Sequence, residues 1–377
     1  MKKSTVKKYI LPTAFMVFIS ILGAVTVFVP KNDYSEDEKR YLNKLPRFTV
    51  KSFLSGEFQD KLEKGLADRV GFRGFFVSTD AYASMAMGRN TLGDVYNCKD
   101  NYLIYSPKKQ DGSVFRKNMS RFNNFSASLD VPSTIMIVPT AGYVMSDKLP
   151  LLCGKYRDAE LFSTASDLTP NIGFIDTRSA LRQNAADGMQ VYYRTDHHLT
   201  SAGNYVLYDL FCSVNGIVHP GINSYNKEKI DGFYGTAWSA SGYRLTPPDS
   251  VELWELPDRV RVTIDDAGKK KIVSDNLFFK NDSRGKDKYP VFLGGNHSLV
   301  HIENKDAKGG SILVIKDSYA QCFSCFLAHN YKNVYMIDMR YYRASVSNFV
   351  KENNIDEILY MYGIDSLLTD TNSAWLM

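Results

Sequence analysis

The sequence predicts an α/β protein: a three-layer, mostly parallel sheet with an N-terminal membrane helix and a β-rich insertion. Three observations predict it. From residue 101 onward, short continuous apolar runs of strand length alternate with segments of helical period, as expected of strands covered on both faces. Residues 9–29 form one uncharged apolar run, and between about 219 and 290 the alternation gives way to Gly, Pro and short β-type runs. At 377 residues the chain can bury a large core. The expected organisation is a cytosolic basic tail and transmembrane signal anchor (1–30), then a juxtamembrane linker and helical segment (31–98). An α/β domain follows (99–377), with the insertion at about 219–290.

The net charge of +5 is misleading, because Lys2, Lys3, Lys7 and Lys8 supply four of it. Without them 42 basic residues face 41 acidic ones, so no basic field is left to attract nucleic acid. The apolar run YILPTAFMVFISILGAVTVFV follows those lysines and has the ~20 residues a membrane span needs. Positive-inside logic keeps the lysines in the cytosol. A cleavable signal peptide would end in small residues, but this run ends Val27-Phe28-Val29-Pro30, which favours an uncleaved anchor with the rest of the chain outside. Pro12 falls in its first turns, where proline is tolerated. Five scattered cysteines exclude a dense disulfide framework. Cys322-x-x-Cys325 has no second pair for a zinc site and falls early in a predicted helix, which favours core packing.

In order, residues 31–50 are polar and charged, and residues 52–90 turn helical, with Phe53, Phe58, Leu62 and Leu66 near a 3.6-residue period. Within that segment Asp68-Arg69-Val70-Gly71-Phe72-Arg73 reads either as a buried ion pair or as a solvated charged face, the second being the default. Strands are expected at Ser133–Pro139 and Ile172–Asp176, with helices over Thr177–Asn184 and Thr200–Val214, the latter capped by Thr200 or Ser201. The insertion has strand-like runs at Val251–Leu256 and Arg259–Thr263. Its stretch Gly232–Ser239 reads either as a substrate-stacking loop or as a hairpin packing its aromatics. The clearest alternation is strand Ser311–Lys316, helix Tyr319–His329, strand Asn333–Ile337, helix Ala344–Glu352 and strand Glu357–Tyr362. Parallel sheets place their sites at the carboxyl ends of strands, where Ser318 and Asp196 are both expected.

Tyr193-Arg194-Thr195-Asp196-His197-His198-Leu199-Thr200 sets two histidines beside a carboxylate at the head of a helix. That is either a surface hydrogen bond or the acid–base half of a hydrolytic site. Lys316-Asp317-Ser318-Tyr319-Ala320 sets a serine directly after a buried-type strand, on a turn that exposes its hydroxyl. A serine needs an adjacent base, and the base needs an orienting acceptor. The N–H groups of Tyr319 and Ala320, at the following helix N-terminus, are expected to face a developing oxyanion. A metal site built from Asp196, His197 and His198 with His297 or His301 is the rival, but adjacent histidines on an extended chain point to opposite sides. Arg340 and Tyr341 end a strand on the same sheet edge and are candidates for substrate contact.

Asp-x-His followed by x-[ST]-x-x-Gly, here Asp196 to Gly203, resembles the Asp/His block of the SGNH (GDSL-like) hydrolase superfamily, whose sheet is flavodoxin-like. With the late Lys316-Asp317-Ser318, the Asp-His-His run resembles the DHHW protein family. It is also similar to AlgX/AlgJ-type polysaccharide O-acetyltransferases, in which the Asp-x-His block likewise precedes the serine. Two departures stand out: Leu199 occupies the fourth DHHW position, and Lys316 replaces the glycine of Gly-Asp-Ser.

The resemblance implies a catalytic triad of Ser318, His198 and Asp196, with His197 as a neighbour pointing away. It offers Gly295 and Asn296 as further oxyanion donors, the alternative being a glycine turn capped by Asn, and implies neither a cofactor nor a metal. It implies an extracytoplasmic serine acyltransferase or esterase acting on O-acetyl groups of a cell-surface or exopolysaccharide, single-pass in the cell membrane. Because acetyl-CoA is cytosolic, transfer would require a membrane-bound acetyl-exporting O-acyltransferase as partner. The alternatives are a non-catalytic glycan-binding or cell-surface assembly protein of the same fold, and a metal-dependent phosphoesterase.

Overall fold

The computed structural model describes residues 2–29, 32–109, 111–283 and 285–376, with the backbone alone for residues 2–7. The anchor's end at Pro30 and the side chains of Lys2, Lys3 and Lys7 therefore lie outside the described residues. The chain divides into two compact units, residues 1–93 with 239–245, and residues 94–238 with 246–377. The division falls before residue 98 because strands Val95–Asn97 and Leu103–Tyr105 pair with each other, and the Leu103 N–H bonds the Arg194 carbonyl of the larger unit at 2.7 Å.

In the first unit, Lys8–Phe28 is the one stretch among the described residues long and apolar enough to cross a membrane, with 21 residues. At 1.5 Å per residue it is about 31 Å long, against a hydrocarbon core of ~30 Å. Pro12 lies inside the helix rather than in its first turn, because the helix runs back through the lysine-rich tail to Lys2. Helices Val50–Leu54, Glu57–Arg69 and Arg73–Ala86 follow. At Asp68 the buried ion pair forms rather than the default solvated face. Asp68 is buried, and Arg40, from the short antiparallel pair Tyr34–Ser35 and Arg40–Tyr41, grips both its oxygens at 2.8 and 2.5 Å. The guanidinium holds that carboxyl well below the usual range.

The larger unit is organised on one eight-stranded sheet. Its strands are β1 (Ser133–Val138), β2 (Gly173–Ile175), β5 (Val260–Asp265), β6 (Ile272–Ser274), β7 (Leu299–Asn304), β8 (Gly309–Lys316), β9 (Tyr331–Ile337) and β10 (Glu357–Gly363). A separate antiparallel pair, β3 (Asn226–Phe233) and β4 (Asp249–Glu255), lies between β2 and β5 in sequence. The sheet order is β6-β5-β7-β9-β8-β10-β1-β2. Strands β9, β8, β10, β1 and β2 are parallel, whereas β7, β5 and β6 add on antiparallel.

The period-two alternation of the strands feeds two cores. Met136, Val138, Val314, Met336 and Met361 pack with helices Ser201–Val214 and Ala320–Leu327. Ile135, Ile137, Ile315, Tyr360 and Tyr362 pack with helices Ser113–Ala127, Asp158–Leu168 and Val346–Glu352. From β8 the chain passes to β9 on one side, then returns past β8 to β10 on the other. That reversal falls at the carboxyl end of β8, the position at which open α/β sheets bind ligands.

The single β-rich insertion expected at 219–290 is not what forms. Its first half is the detached β3–β4 pair, while β5 and β6 extend the central sheet through β7. Val262 and Ile264, alternating along β5, are buried in the main core, and only pairing to β7 puts them there. Asp196 is not at a strand end either. The Tyr193 N–H bonds the His198 carbonyl at 3.2 Å and the Thr200 N–H bonds the Val191 carbonyl at 3.0 Å, so the segment closes on itself as a loop.

Candidate active site

Ser318 stands two residues beyond β8, in the turn before helix Ala320–Leu327. Its Oγ lies 2.8 Å from His198 Nε2, and His198 Nδ1 lies 2.5 Å from Asp196 Oδ1. Serine, imidazole and carboxylate thus form one continuous hydrogen-bonded chain, across 120 residues of sequence. Asp196 is held from both sides. Its Oδ1 also accepts the His198 N–H at 2.9 Å, and its Oδ2 accepts the Thr236 N–H at 2.6 Å and hydroxyl at 3.0 Å.

The loop that carries the pair is clamped by a second buried carboxylate. Asp249, the first residue of β4, accepts the Thr195 N–H and hydroxyl, each at 2.7 Å, and the Arg194 N–H at 3.1 Å. The downstream helix is capped by Thr200, whose hydroxyl accepts the Gly203 N–H at 3.1 Å. A Cβ on Gly203 would lie 2.2 Å from the Val191 carbonyl oxygen, which is why the motif ends in glycine. The His198 ring stacks flat on Tyr289, with centroids 3.9 Å apart, and the Tyr289 hydroxyl donates to the Ser318 carbonyl at 3.3 Å.

Two expectations are corrected here. The Tyr319 N–H is not open to an oxyanion, because Asp317 Oδ1 accepts it at 2.9 Å in a local side-chain turn. Among the described residues the Ser318 N–H has no acceptor. Tyr319 packs against the His197–His198 loop instead: its hydroxyl donates to the His197 carbonyl at 2.9 Å and its ring centroid lies 5.1 Å from that of His198. His197 does not point away. The loop is bent rather than extended, so its ring lies beside that of His198, centroids 3.9 Å apart, with Nδ1 2.7 Å from the Thr236 hydroxyl.

Gly295 and Asn296 are tied to both sides of Ser318. Asn296 Oδ1 accepts from Lys316 Nζ at 3.2 Å and from Gln321 Nε2 at 3.1 Å, while Gln321 Nε2 also donates to the Gly295 carbonyl at 2.6 Å. Lys316 is fully buried and paired with Asp338 at 3.2 Å; burial lowers its pKa and Asp338 opposes that shift. The Arg340 guanidinium is committed to Asp338 at 2.8 and 2.6 Å, while Tyr341 is exposed beside it.

The metal-ligating atoms of Asp196, His197 and His198 lie within 4.8 Å of one another, so an ion there would have to displace the bonds just described. His297 and His301 are not part of that cluster: His297 pairs with Asp266 at 3.0 Å and His301 with Asn333 at 2.9 Å. Cys322 and Cys325 are free and buried in the core, and burial pushes the Cys322 thiol up to about 12. Leu199, at the fourth motif position, is also core.

Asp249, Thr236, Tyr289 and Gln321 carried no signal that sequence reasoning could have used. Only Thr236 lay in a stretch singled out beforehand. Of the aromatics in that stretch, Phe233 and Trp238 are buried and Tyr234 is half-buried, and its contribution to the site is backbone and hydroxyl.

Fold and site together define an α/β domain with a serine–histidine–aspartate chain at the carboxyl edge of its sheet. This protein belongs to the DHHW family, whose model matches residues 77–337. It is similar in structure to a DHHW family protein from Eubacterium siraeum, 24% identical over 74% of this chain and 93% of that one, with a TM-score of 0.65. It is also similar to Bacillus cereus PatB1, 18% identical over 72% of this chain and 97% of that one, TM-score 0.61, and to PatB1 with a sulfonyl adduct, TM-score 0.62. The O-acetyltransferase domain of Pseudomonas putida AlgJ, 14% identical with a TM-score of 0.46, is too distant to carry an argument. These identities speak to the fold. Among proteins of curated function no match to the sequence is found.

Proposed function

We propose that the chain is an extracytoplasmic serine acyltransferase or esterase of SGNH type, acting on O-acetyl groups of a surface polysaccharide. The observation that carries this reading is the chain Ser318–His198–Asp196 at 2.8 and 2.5 Å, with the serine half-buried in the turn beyond β8. Ser318 Oγ attacks the acetyl carbonyl while His198 Nε2 takes its proton, and Asp196 holds the Nδ1 proton and the resulting imidazolium. The Ser318 N–H and the Asn296 amide stabilise the tetrahedral oxyanion. As the C–O bond to the leaving alcohol breaks, His198 returns the proton to that oxygen and leaves acetyl-Ser318. Water or a sugar hydroxyl then attacks the ester, and His198 removes its proton. As the acyl C–Oγ bond breaks, His198 returns that proton to Ser318 Oγ, which completes hydrolysis or transfer.

The reading takes the catalytic part as a three-layer domain and Lys8–Phe28 as a single-pass anchor, with the lysine tail in the cytosol. It takes a membrane-bound acetyl exporter as the donor partner for transfer. Ser318→Ala and His198→Ala are each expected to cut turnover of p-nitrophenyl acetate by at least ~10³-fold with the circular dichroism spectrum unchanged. PatB1 has been solved with a sulfonyl adduct, and a sulfonyl fluoride is the matching probe for Ser318. Intact mass should show one adduct that Ser318→Ala lacks. Wild-type turnover in either variant sinks the triad, and glycan binding by an unreactive Ser318 would leave a non-catalytic member of the same fold.

A further inference from the structure

Helix Arg73–Ala86 is built the wrong way round for water. It has only two charged residues, Arg73 and Asp80, among fourteen. Phe72, Phe75 and Phe76 are 56, 67 and 37% exposed, and Met87 just past its end is 72% exposed. Thr79, Asp80 and Ala83 are exposed as well, so the outward face from Phe72 to Met87 is mostly apolar at helical spacing and carries one carboxylate, Asp80, on its flank beside Phe76 and Met87. Arg73 is turned elsewhere, pairing with Glu38 at 3.1 Å.

Where this face lies is fixed by a contact inside the same unit. The Gly71 N–H donates to Thr26 Oγ1 at 2.9 Å, and a Cβ on Gly71 would come within 2.7 Å of Val25 Cγ1. Val25 and Thr26 belong to the last turn of the helix that ends at Phe28. The Phe72–Phe76 cluster therefore starts one residue from the top of the apolar helix, at the level where a bilayer's hydrocarbon gives way to headgroups. A helix lying in that plane buries such a face in the acyl boundary.

We infer that Phe72, Phe75 and Phe76 insert into the outer leaflet, so that the helical unit is a membrane-surface platform rather than a solvated stalk. This rests on the reading of Lys8–Phe28 as a span. The occupant is lipid, because the cluster is held against the one helix that enters it.

The test uses the full chain in phosphatidylcholine–phosphatidylglycerol vesicles, with Cys98→Ser and Cys153→Ser to remove the half-buried thiols. Nitroxides go on Phe75→Cys, on Phe18→Cys within the span, and on Lys270→Cys in an exposed, lysine-rich turn. Power saturation is then read against oxygen and a water-soluble nickel chelate. The inference expects the label at 75 to resemble that at 18, reached by oxygen and shielded from nickel by at least threefold relative to 270. A label at 75 that matches 270 while 18 stays shielded overturns the platform and keeps the span. Labels at 18 and 75 that both match 270 overturn the span and the platform together.

Discussion

At the scale of single residues the site depends on which end of the Asn296 amide faces outward. Lys316 Nζ can only donate, so the amide must present its oxygen there. Gln321 Nε2 is fixed as a donor by the Gly295 carbonyl and meets the same Asn296 oxygen. The Asn296 NH₂ is thereby left to the exposed side, as an oxyanion donor requires. This gives the lysine that replaces the usual glycine of the serine block a positioning role. Removing an oxyanion donor typically costs roughly 10²–10³ in turnover, and Asn296→Ala should lose that much kcat on p-nitrophenyl acetate. Lys316→Met keeps the volume of a buried, desolvated side chain while Arg340 continues to satisfy Asp338, and is expected to lose about tenfold. The decisive measurement is the double-mutant cycle. If Lys316 acts through Asn296, Lys316→Met should have almost no further effect in the Asn296→Ala background; full additivity would reject the role.

At the scale of elements, what the sequence disclosed is what is encoded locally. Ser318 was legible because β8 is a continuous apolar run ending in a turn. The Thr200 cap and Gly203 were legible because a helix start and a close backbone approach leave fixed spacings. His198 was separable from His197 only through the register of the motif, and the local geometry of an extended chain misplaced His197 because the loop is bent. The groups that hold the Asp196 loop come from far along the chain, so no local pattern announces them. Asp249 opens a strand 53 residues on, and Thr236 follows a glycine that reads as ordinary turn punctuation. That glycine is tested directly. A Cβ on Gly235 would lie 2.2 Å from Asp196 Cβ and 2.5 Å from the Thr195 carbonyl oxygen, so the loop must move by about an ångström. Because a misplacement of that size can cost ~10² in rate, Gly235→Ala is expected to lose turnover by at least tenfold while Ser318 still takes the sulfonyl probe slowly. A variant with wild-type kcat would mean that the loop tolerates the shift and that Thr236 does not hold Asp196 in place.

At the scale of the whole molecule, the acids that matter for stability above pH ~4 are the ones pushed upward. Asp158 and Asp365 both line a small cleft with Thr140 and Tyr156, and burial pushes each up to about 6, with Lys108 opposing the shift at Asp365. Asp68, Asp266 and Asp338 are held below the ordinary range, so what they contribute is complete above ~4 and is lost only in stronger acid. Between pH ~4 and the folded value near 6, the native chain keeps protons on Asp158 and Asp365 that the unfolded chain has released. Stability from these two is therefore full below ~4 and falls as pH rises through 6, by on the order of 2 kcal/mol per group. Asp365 is the cleaner position to test, because its carboxylate accepts no hydrogen bond among the described residues, whereas Asp158 accepts the Thr140 N–H at 2.6 Å. Asp365→Asn removes the titration without orphaning a donor, so thermal unfolding in detergent should show a higher midpoint at pH 7 and a flatter fall between pH 4.5 and 6.5. A variant whose midpoint tracks the wild type across that range would show that Asp365 is solvated and that the slope belongs to other groups.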